Sequence, residues 1–314
     1  MKILSDIKLA AMFLRSSLYL DLHRPGPTVL LAGDGRSGTT WLSKVINHDE
    51  SFRYIFEPFF GEKVPLFEKF TPHPYLRPEE HAPEFERCCR ELFQGRIRGL
   101  WPDVHNRKRL PTNRRLIKAI RANFCLAWLR RRFPELKIVF LIRNPYAVAN
   151  SKRRFGWKSS VDHLLDQPRL MEDHLGPHAA MLHKASTPYE RYILQWCAIN
   201  HVALRQLGRD EIFIAFYEDF CTQPETKIPQ LFSYLGIPYD QAVLRKTTRP
   251  SPTCKKHSAI KTGENLVDSW KKHTSEDELL RAQPILEAFG LDRLYDDAGM
   301  PGQDAPQKMQ VHLP

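Results

Sequence analysis

Cysteines are few in this sequence, and long apolar runs are missing. Among 314 residues, no two cysteines have the Cys-x-x-Cys spacing of a zinc or thioredoxin-like site. Disulfides are not excluded, but the pattern favours reduced thiols in a cytoplasmic protein. No apolar stretch is long enough to cross a bilayer. The six cysteines are Cys88, Cys89, Cys125, Cys197, Cys221 and Cys254.

The two ends of the sequence differ from the segment between them. Residues 1–24 are apolar but are interrupted by charges such as Asp6, Lys8 and Arg15, so they lack the apolar core of a signal peptide. Their spacing predicts an amphipathic helix that packs on the domain, contacts a membrane surface or gates the substrate. Residues 299–314 contain Pro, Gly and Gln and are expected to be disordered.

Positive charge is in excess. The sequence has 47 Lys and Arg against 36 Asp and Glu, which gives a net charge of +11. This balance predicts an anionic partner, which could be a nucleotide, an acidic glycan, a nucleic acid or a membrane surface. The basic runs at 130–132 and 152–154 have no groove-reading motif around them, so we interpret them as solvated helix faces rather than nucleic-acid contacts.

Short apolar runs alternate with helical segments along most of the chain. The runs predict strands at 28–32, 53–56, 115–118, 137–142 and 212–216. The longer segments predict helices at 39–47, 124–132, 146–155, 189–207, 224–235 and 275–289. This order predicts a single α/β, P-loop-like domain over 1–298, with a central parallel sheet flanked by helices on both faces. Residues 59–111 and 157–188 are expected to be variable insertions on the acceptor side.

A glycine-containing loop, 33–40, lies between the first predicted strand and the first predicted helix. A loop in this place directs backbone N–H groups and a helix N-terminus at an anion. Gly33 and Gly38 have P-loop spacing, but Thr39 replaces the lysine that nucleoside triphosphatases use. Arg36 supplies a cation instead. A P-loop kinase or nucleotidase therefore stays only as an alternative function.

A second anion motif follows the strand at 137–142. Arg143 begins an Arg-Asn-Pro turn at the carboxyl end of that strand, where open α/β sheets bind ligands. Ser151 is two turns into the next helix. The arginine fork can bind a phosphate in a bidentate manner while the serine hydroxyl donates to the same group. The alternative is an ion pair at Arg143 and a serine packed against backbone.

Together these motifs resemble the nucleotide site of sulfotransferases that use PAPS (3′-phosphoadenosine-5′-phosphosulfate). The stretch Arg36-Ser-Gly-Thr-Thr-Trp is similar to the loop that binds the 5′-phosphosulfate in that family. The resemblance implies that Arg143 and Ser151 bind the 3′-phosphate. It implies PAPS as the donor, PAP as the desulfated product, and no metal. By the same resemblance, the 5′ loop residues are Arg36, Ser37, Gly38, Thr39 and Thr40, with Trp41 near the adenine.

Two later segments resemble the family more weakly. Tyr217 begins a Tyr-Glu-Asp segment after a strand, and the family's tyrosine lies near the adenine. Lys261 and Gly263 resemble the late basic loop over the 3′-phosphate. The spacing from that loop to the following tryptophan is longer than in cytosolic small-molecule members, so Lys255 or Lys256 could replace Lys261.

The expected catalytic base follows from a missing histidine. Cytosolic phenol and steroid members carry one after the third strand, whereas residues 116–121 contain none and keep only Lys118. Carbohydrate-type and many bacterial members place a glutamate after the second strand, and Glu57 matches it. The resemblance therefore predicts Glu57 as general base, with Arg36 and Lys118 as further catalytic residues. Histidines of the first insertion stay as alternatives, namely His73, His81 and His105.

The predicted acceptor is a hydroxyl on a small polar molecule, a sugar, a glycan or a glycolipid. The missing histidine and the basic, aromatic insertion, which includes Tyr75, Phe85 and Trp101, favour this class. Amphipathic lipids or polyketide intermediates would use similar surfaces and stay as alternative acceptors. No nucleic acid is expected as a partner, and the sequence does not give the oligomeric state.

Overall fold

A computed structural model of the chain describes residues 20–107, 111–208, 211–247 and 267–302, without the side chains of 246 and 247. The predicted N-terminal helix and the predicted tail therefore lie almost wholly outside the described residues. The candidate late-loop residues also lie outside them, namely Lys255, Lys256, Lys261 and Gly263.

Five strands form one sheet in the order β2-β3-β1-β4-β5. The pairs β1–β3 and β2–β3 are parallel. All five predicted strands are present, and the predicted α/β class with a parallel sheet is confirmed. The strands are β1 Thr28–Ala32, β2 Arg53–Phe56, β3 Arg115–Ala119, β4 Lys137–Ile142 and β5 Phe213–Phe216.

The six predicted helices are present, with ends that agree or are shifted by one or two residues. Local capping explains several of the starts: Asn144 caps α4, while Thr187 and Ser275 form capping boxes at α8 and α12. The α-helices are α1 Thr39–Ile46, α2 Pro83–Phe93, α3 Leu126–Arg132, α4 Pro145–Arg154, α5 Val161–Leu165, α6 Pro168–Leu170, α7 Ala179–Lys184, α8 Pro188–Gln206, α9 Tyr217–Thr222, α10 Pro224–Leu235, α11 Leu244–Thr247 and α12 Glu276–Ala288.

Short helices of other types extend several of these elements. A 3-10 turn, Asn123–Cys125, precedes α3, and a π-helical turn, Met171–Leu175, follows α6. The segment 157–188 is thus largely helical, and its turns bury a row of leucines, Leu164, Leu170, Leu175 and Leu182. The other 3-10 helices are Pro65–Phe67, Gly176–His178, Gln241–Val243, Ser269–His273 and Asp292–Leu294.

The chain divides into two compact units. The first comprises residues 1–32 and 42–139, and the second comprises 33–41 and 140–314, each as far as it is described. The first unit holds strands β1 to β3, in which Ala32 pairs with Ala119 and Phe56 pairs with Lys118 at the carboxyl ends. The second holds the glycine loop, the end of β4, β5 and helices α4 to α12. The predicted single domain over 1–298 stays a prediction.

The amino ends of β2 and β3 carry a buried ion cluster. Arg53 and Arg115 occupy paired positions of the two strands and would repel each other. Asp21 lies 3.0 Å from Arg53 and 2.5 Å from Arg115, and Asp103 lies 3.0 Å from Arg53. Because all four side chains are buried, the cluster holds the first unit together only while its charges stay paired.

Within the described residues the cysteines Cys88, Cys89, Cys125, Cys197 and Cys221 are free thiols. None of the helices described is both long and apolar enough to span a membrane.

Candidate nucleotide-binding and catalytic residues

The loop after β1 has a backbone that needs glycine at two of its positions. Gly33 and Gly38 have φ values of +143° and +99°. A side chain at Gly33 would overlap the Leu141 carbonyl oxygen, and a Cβ at Gly38 would lie 2.6 Å from the Tyr217 ring. Arg36, at φ +76°, is also in the left-handed region, which is strained for a residue with a Cβ. The loop is therefore held in one conformation by close neighbours.

The predicted phosphate-binding residues of the second unit lie together. Arg36 Nε donates to Ser151 Oγ at 3.0 Å, and the Arg143 guanidinium donates to the Arg36 carbonyl oxygen at 3.2 Å. The Arg36 guanidinium also lies 3.8 Å from the centre of the Phe155 ring. One guanidinium group thus contacts the Ser151 hydroxyl and the other contacts a carbonyl oxygen of the loop. Both positive charges therefore lie beside the loop.

Two polar atoms at this place are buried without a hydrogen-bond partner among the described residues. They are Ser37 Oγ and Arg143 Nε. Arg143 also makes no ion pair with any residue that the structure describes; its cation instead lies 4.4 Å above the Tyr217 ring. Since buried donors are normally satisfied, unpartnered donors beside a glycine loop fit an anionic ligand.

Aromatic side chains flank the loop. The Trp41 and Tyr217 rings are 5.4 Å apart in an edge-to-face arrangement, and both are buried. The structure thus places the two aromatic residues expected near an adenine in contact with each other. Their assignment to an adenine stays a prediction.

A buried ion pair ties the loop to α4. Lys152 Nζ lies 2.6 Å from Asp34, and Gln195 donates to the same carboxylate at 3.3 Å. Burial raises the pKa of Asp34 and lowers the pKa of Lys152, while their mutual attraction opposes both shifts. The interpretation of residues 152–154 as a solvated face is therefore wrong for Lys152, because Asp34 draws it inward.

The Arg-Asn-Pro turn has supporting side chains that sequence reasoning missed. Glu218 accepts a hydrogen bond from the Asn144 N–H at 3.0 Å, and Trp196 donates to the Arg143 carbonyl oxygen at 2.9 Å. Glu218 stood beside Tyr217 in a recognised segment, which was the only available signal for it. Nothing in the local pattern indicated Trp196.

In the first unit, Glu57 forms the centre of a second cluster. Its carboxylate is paired with Lys118, accepts from the Ile120 N–H at 3.1 Å and lies 3.5 Å from Arg121. Its backbone is left-handed at φ +47°, and the Glu57 N–H donates to the Lys118 carbonyl oxygen at 2.8 Å. These contacts hold the carboxylate at the carboxyl ends of β2 and β3.

The alternative histidines of the first insertion have different surroundings. His105 packs edge-on against Phe56 at 4.9 Å, and burial together with the charge of Lys118 lowers its pKa to about 4. His73 is buried near Phe124, while His81 is exposed. His105 is therefore neutral at pH 7 and a weak base.

A family model described as the sulfotransferase family matches residues 27–241, which is more than half of the chain. The chain belongs to the sulfotransferase family. The predicted family and enzyme class are confirmed. The alternative of a P-loop kinase or nucleotidase loses its basis, as does that of a nucleic-acid-binding module. A comparison with curated protein sequences gives no significant match.

This sulfotransferase is also similar to solved structures at low sequence identity. The sulfotransferase domain of the Synechococcus PCC 7002 olefin synthase is 19% identical, with 87% of this chain and 96% of that one covered at a TM-score of 0.49. Mouse sulfotransferase SULT7A1, complexed with PAP, is 13% identical, with 97% and 95% covered at a TM-score of 0.46. The family assignment rests on the family model alone.

Proposed function

We propose that this sulfotransferase takes its sulfuryl group from PAPS and transfers it to a hydroxyl of a sugar or another polar acceptor. The observation that carries the donor assignment is the convergence of Arg36, Arg143 and Ser151 beside two unpartnered buried donors. A nucleotide with a phosphosulfate and a separate phosphate offers the anionic oxygens that such a set of donors lacks.

The donor would be held by the loop and by the turn after β4. The loop N–H groups, Arg36, Ser37, Thr39 and Thr40 would bind the 5′-phosphosulfate, which supplies the sulfuryl group. Arg143 and Ser151 would bind the 3′-phosphate. The adenine would contact Trp41 and Tyr217. From the resemblance, Lys261 and Gly263 would complete the 3′ site.

We infer that Glu57 removes the proton of the acceptor hydroxyl. The attacking oxygen loses its proton as its bond to sulfur forms, and a carboxylate at the carboxyl ends of parallel strands can accept it. Lys118 and Arg121 hold the Glu57 carboxylate in place, and Lys118 and Arg36 would stabilise the charge that develops during transfer. The alternative role for Glu57 is a structural ion pair with Lys118 or Arg121, and both partners are in place. Turnover measurements therefore have to separate the catalytic role from the structural one.

Of the aromatic residues that the sequence indicated, Trp101 is partly exposed, whereas Tyr75 and Phe85 are buried in the core and cannot face an acceptor. The acceptor class therefore rests on the rings around Glu57. Phe56 and Phe60 lie 5.3 and 5.6 Å from Trp101, and all three rings are partly exposed. The Arg121 guanidinium lies 3.8 Å from the Phe60 ring centre. Aromatic faces suit the apolar faces of sugars, and arginine suits anionic groups on them.

The donor is tested by calorimetric titration with PAP, with ATP as competitor and with EDTA present. We expect PAP to bind without metal and ATP not to displace it. Arg143→Ala should weaken PAP binding by roughly 2–5 kcal/mol, because it removes a bidentate phosphate contact. The matched control is Arg154→Ala, which removes the same charge from an exposed position of α4. Equal PAP affinity in folded Arg143→Ala and in the control would disprove the assignment.

The acceptor is tested by mass spectrometry of products from a panel of sugars, glycolipids, polar metabolites and simple phenols incubated with PAPS. Sulfated sugars or polar metabolites are expected. A preference for simple phenols would contradict the proposed class.

A further inference from the structure

The peptide group between Arg143 and Asn144 is held at both of its polar atoms. Its carbonyl oxygen accepts a hydrogen bond from Trp196 Nε1 at 2.9 Å, and its N–H donates to Glu218 Oε1 at 3.0 Å. Because the peptide unit is planar, two hydrogen bonds in opposite directions fix its orientation. That orientation sets the direction in which the Arg143 side chain leaves the turn.

Glu218 is itself held on its other side. Its second carboxylate oxygen accepts from the Tyr295 hydroxyl at 3.0 Å, and the residue is 0% exposed. Tyr295 belongs to the segment after α12, so Glu218 links this segment to the Arg-Asn-Pro turn. A buried carboxylate is costly unless its hydrogen bonds are made, and here both oxygens have a donor.

We propose that Glu218 is a positioning residue, which holds the Arg143–Asn144 peptide so that the Arg143 guanidinium stays against Tyr217 and can bind the nucleotide. This inference rests on the proposed role of Arg143 in binding PAPS. Glu218 would not touch the nucleotide. It acts through the backbone of the turn, together with Trp196.

The charge of Glu218 gives the proposal a distinct readout. Burial raises its pKa to about 7, although the hydrogen bond from Asn144 and the charge of Arg143 oppose the rise. The Tyr295 hydroxyl is a titratable group that donates a hydrogen bond to Glu218. On the same helix as Glu218, the titratable groups that interact with it are Tyr217 and Cys221. The positive charge of Arg143 favours the ionised form of Glu218. An anion bound to Arg143 would offset that charge, so the Glu218 carboxyl would take up a proton when the anion binds.

The sign of the pH dependence follows from this uptake. PAP affinity should be highest where Glu218 is already protonated and should fall as pH rises through about 7. Glu218→Gln can accept from the Asn144 N–H as the carboxyl does, but it cannot titrate. PAP itself titrates in the same way with both proteins. The ratio of the wild-type affinity to the Glu218→Gln affinity at each pH therefore cancels this contribution.

The experiment measures PAP affinity of the full chain between about pH 6 and about pH 8.5. Glu218→Ala should weaken binding about tenfold or more, since the buried Asn144 N–H loses its hydrogen-bond acceptor. Glu218→Gln should restore binding to within about threefold of wild type near pH 6, with a flatter pH dependence. The control is Asp219→Asn, which changes the neighbouring carboxylate, paired with Lys227 at 2.9 Å.

Two results would overturn the proposal. One is a folded Glu218→Ala protein that binds PAP like wild type. The other is a Glu218→Gln protein with the wild-type pH dependence, which decides the matter even if the alanine variant does not fold. If wild type binds PAP and Arg143→Ala does not, failure of the Glu218 variants to respond removes only this inference. Absence of PAP binding by wild type removes the proposed donor as well.

Discussion

The same two strands of the first unit carry a buried ion cluster at each end. At the amino ends of β2 and β3, Arg53 and Arg115 are paired with Asp21, and each of these side chains is 0% exposed. At the carboxyl ends, Glu57 is paired with Lys118 and Arg121, and the Arg121 side chain is 21% exposed. Both clusters satisfy a buried carboxylate, and in the second the paired arginine is partly exposed.

The backbone separates the clusters further. Asp21, Arg53 and Arg115 have no left-handed φ value, whereas Glu57 is left-handed and is surrounded by partly exposed aromatic rings. Strained backbone and access to solvent are features of functional positions, and the carboxyl edge of a parallel sheet is where ligands bind. The comparison suggests that the amino-end cluster stabilises the fold and that the carboxyl-end cluster serves the reaction.

The largest expected effect is at the carboxyl end. Glu57→Gln keeps the shape of the side chain and removes its basicity, so turnover with PAPS should fall roughly 10²–10⁴-fold. PAP affinity should be nearly unchanged. The control is Glu62→Gln, at an exposed position at the start of the first insertion. Normal turnover in Glu57→Gln would move the base to a histidine, and His105, His73 and His81 would be replaced in turn.

At the amino end we expect an effect on stability. Asp21→Asn leaves two buried arginines without their shared counter-charge and should lower the free energy of unfolding by roughly 3–5 kcal/mol. Chemical denaturation measures this. Glu50→Gln is the control, because its pair with Arg107 at 3.8 Å is on the surface and contributes little. A turnover defect in Asp21→Asn beyond its loss of folded protein would break the division between the two ends.

The pH dependence of stability should also distinguish the amino-end cluster. Burial opposes ionisation of Asp21, but hydrogen bonds from Arg115, the His23 N–H and Arg53 hold its pKa below the ordinary value of 3.8. Its stabilising contribution is therefore complete above about pH 4 and is lost as pH falls through the lower, folded-state pKa. Acid unfolding of wild type and Asp21→Asn should converge at low pH. A constant difference between them would show that charge is not the cause.

The smallest effect is expected in the loop of the second unit. Ser37→Ala removes a hydroxyl that is buried without a partner among the described residues, so stability should not fall. PAP binding should weaken by a few-fold if the hydroxyl serves the nucleotide. Ser43→Ala is the matched control, because its hydroxyl donates to Tyr54 at 3.2 Å and its loss should affect stability and not PAP binding. The reverse pattern would assign Ser37 to the fold.

Much of the fold could be predicted because its signals are local. β1 and most of β4 are continuous buried runs, and a run of apolar residues between turn residues is sufficient to indicate such a strand. Gly33 and Gly38 marked the loop because few other residues tolerate its backbone. Lys152 was misinterpreted because it stands in a basic run, and its partner Asp34 lies in a distant segment.

By itself the sequence determined the order of strands and helices, the glycine loop and the adjacent motif residues, because these depend on spacing along the chain. Only the tertiary structure decided which charged side chains are buried and which residues they pair with. Asp21 with Arg115, Glu57 with Lys118, and Glu218 with the Asn144 N–H are pairs from distant segments. The local sequence around a charged residue does not distinguish a side chain that faces water from one that is paired with a buried partner. The free energy of burying it is set by neighbours that folding alone brings near.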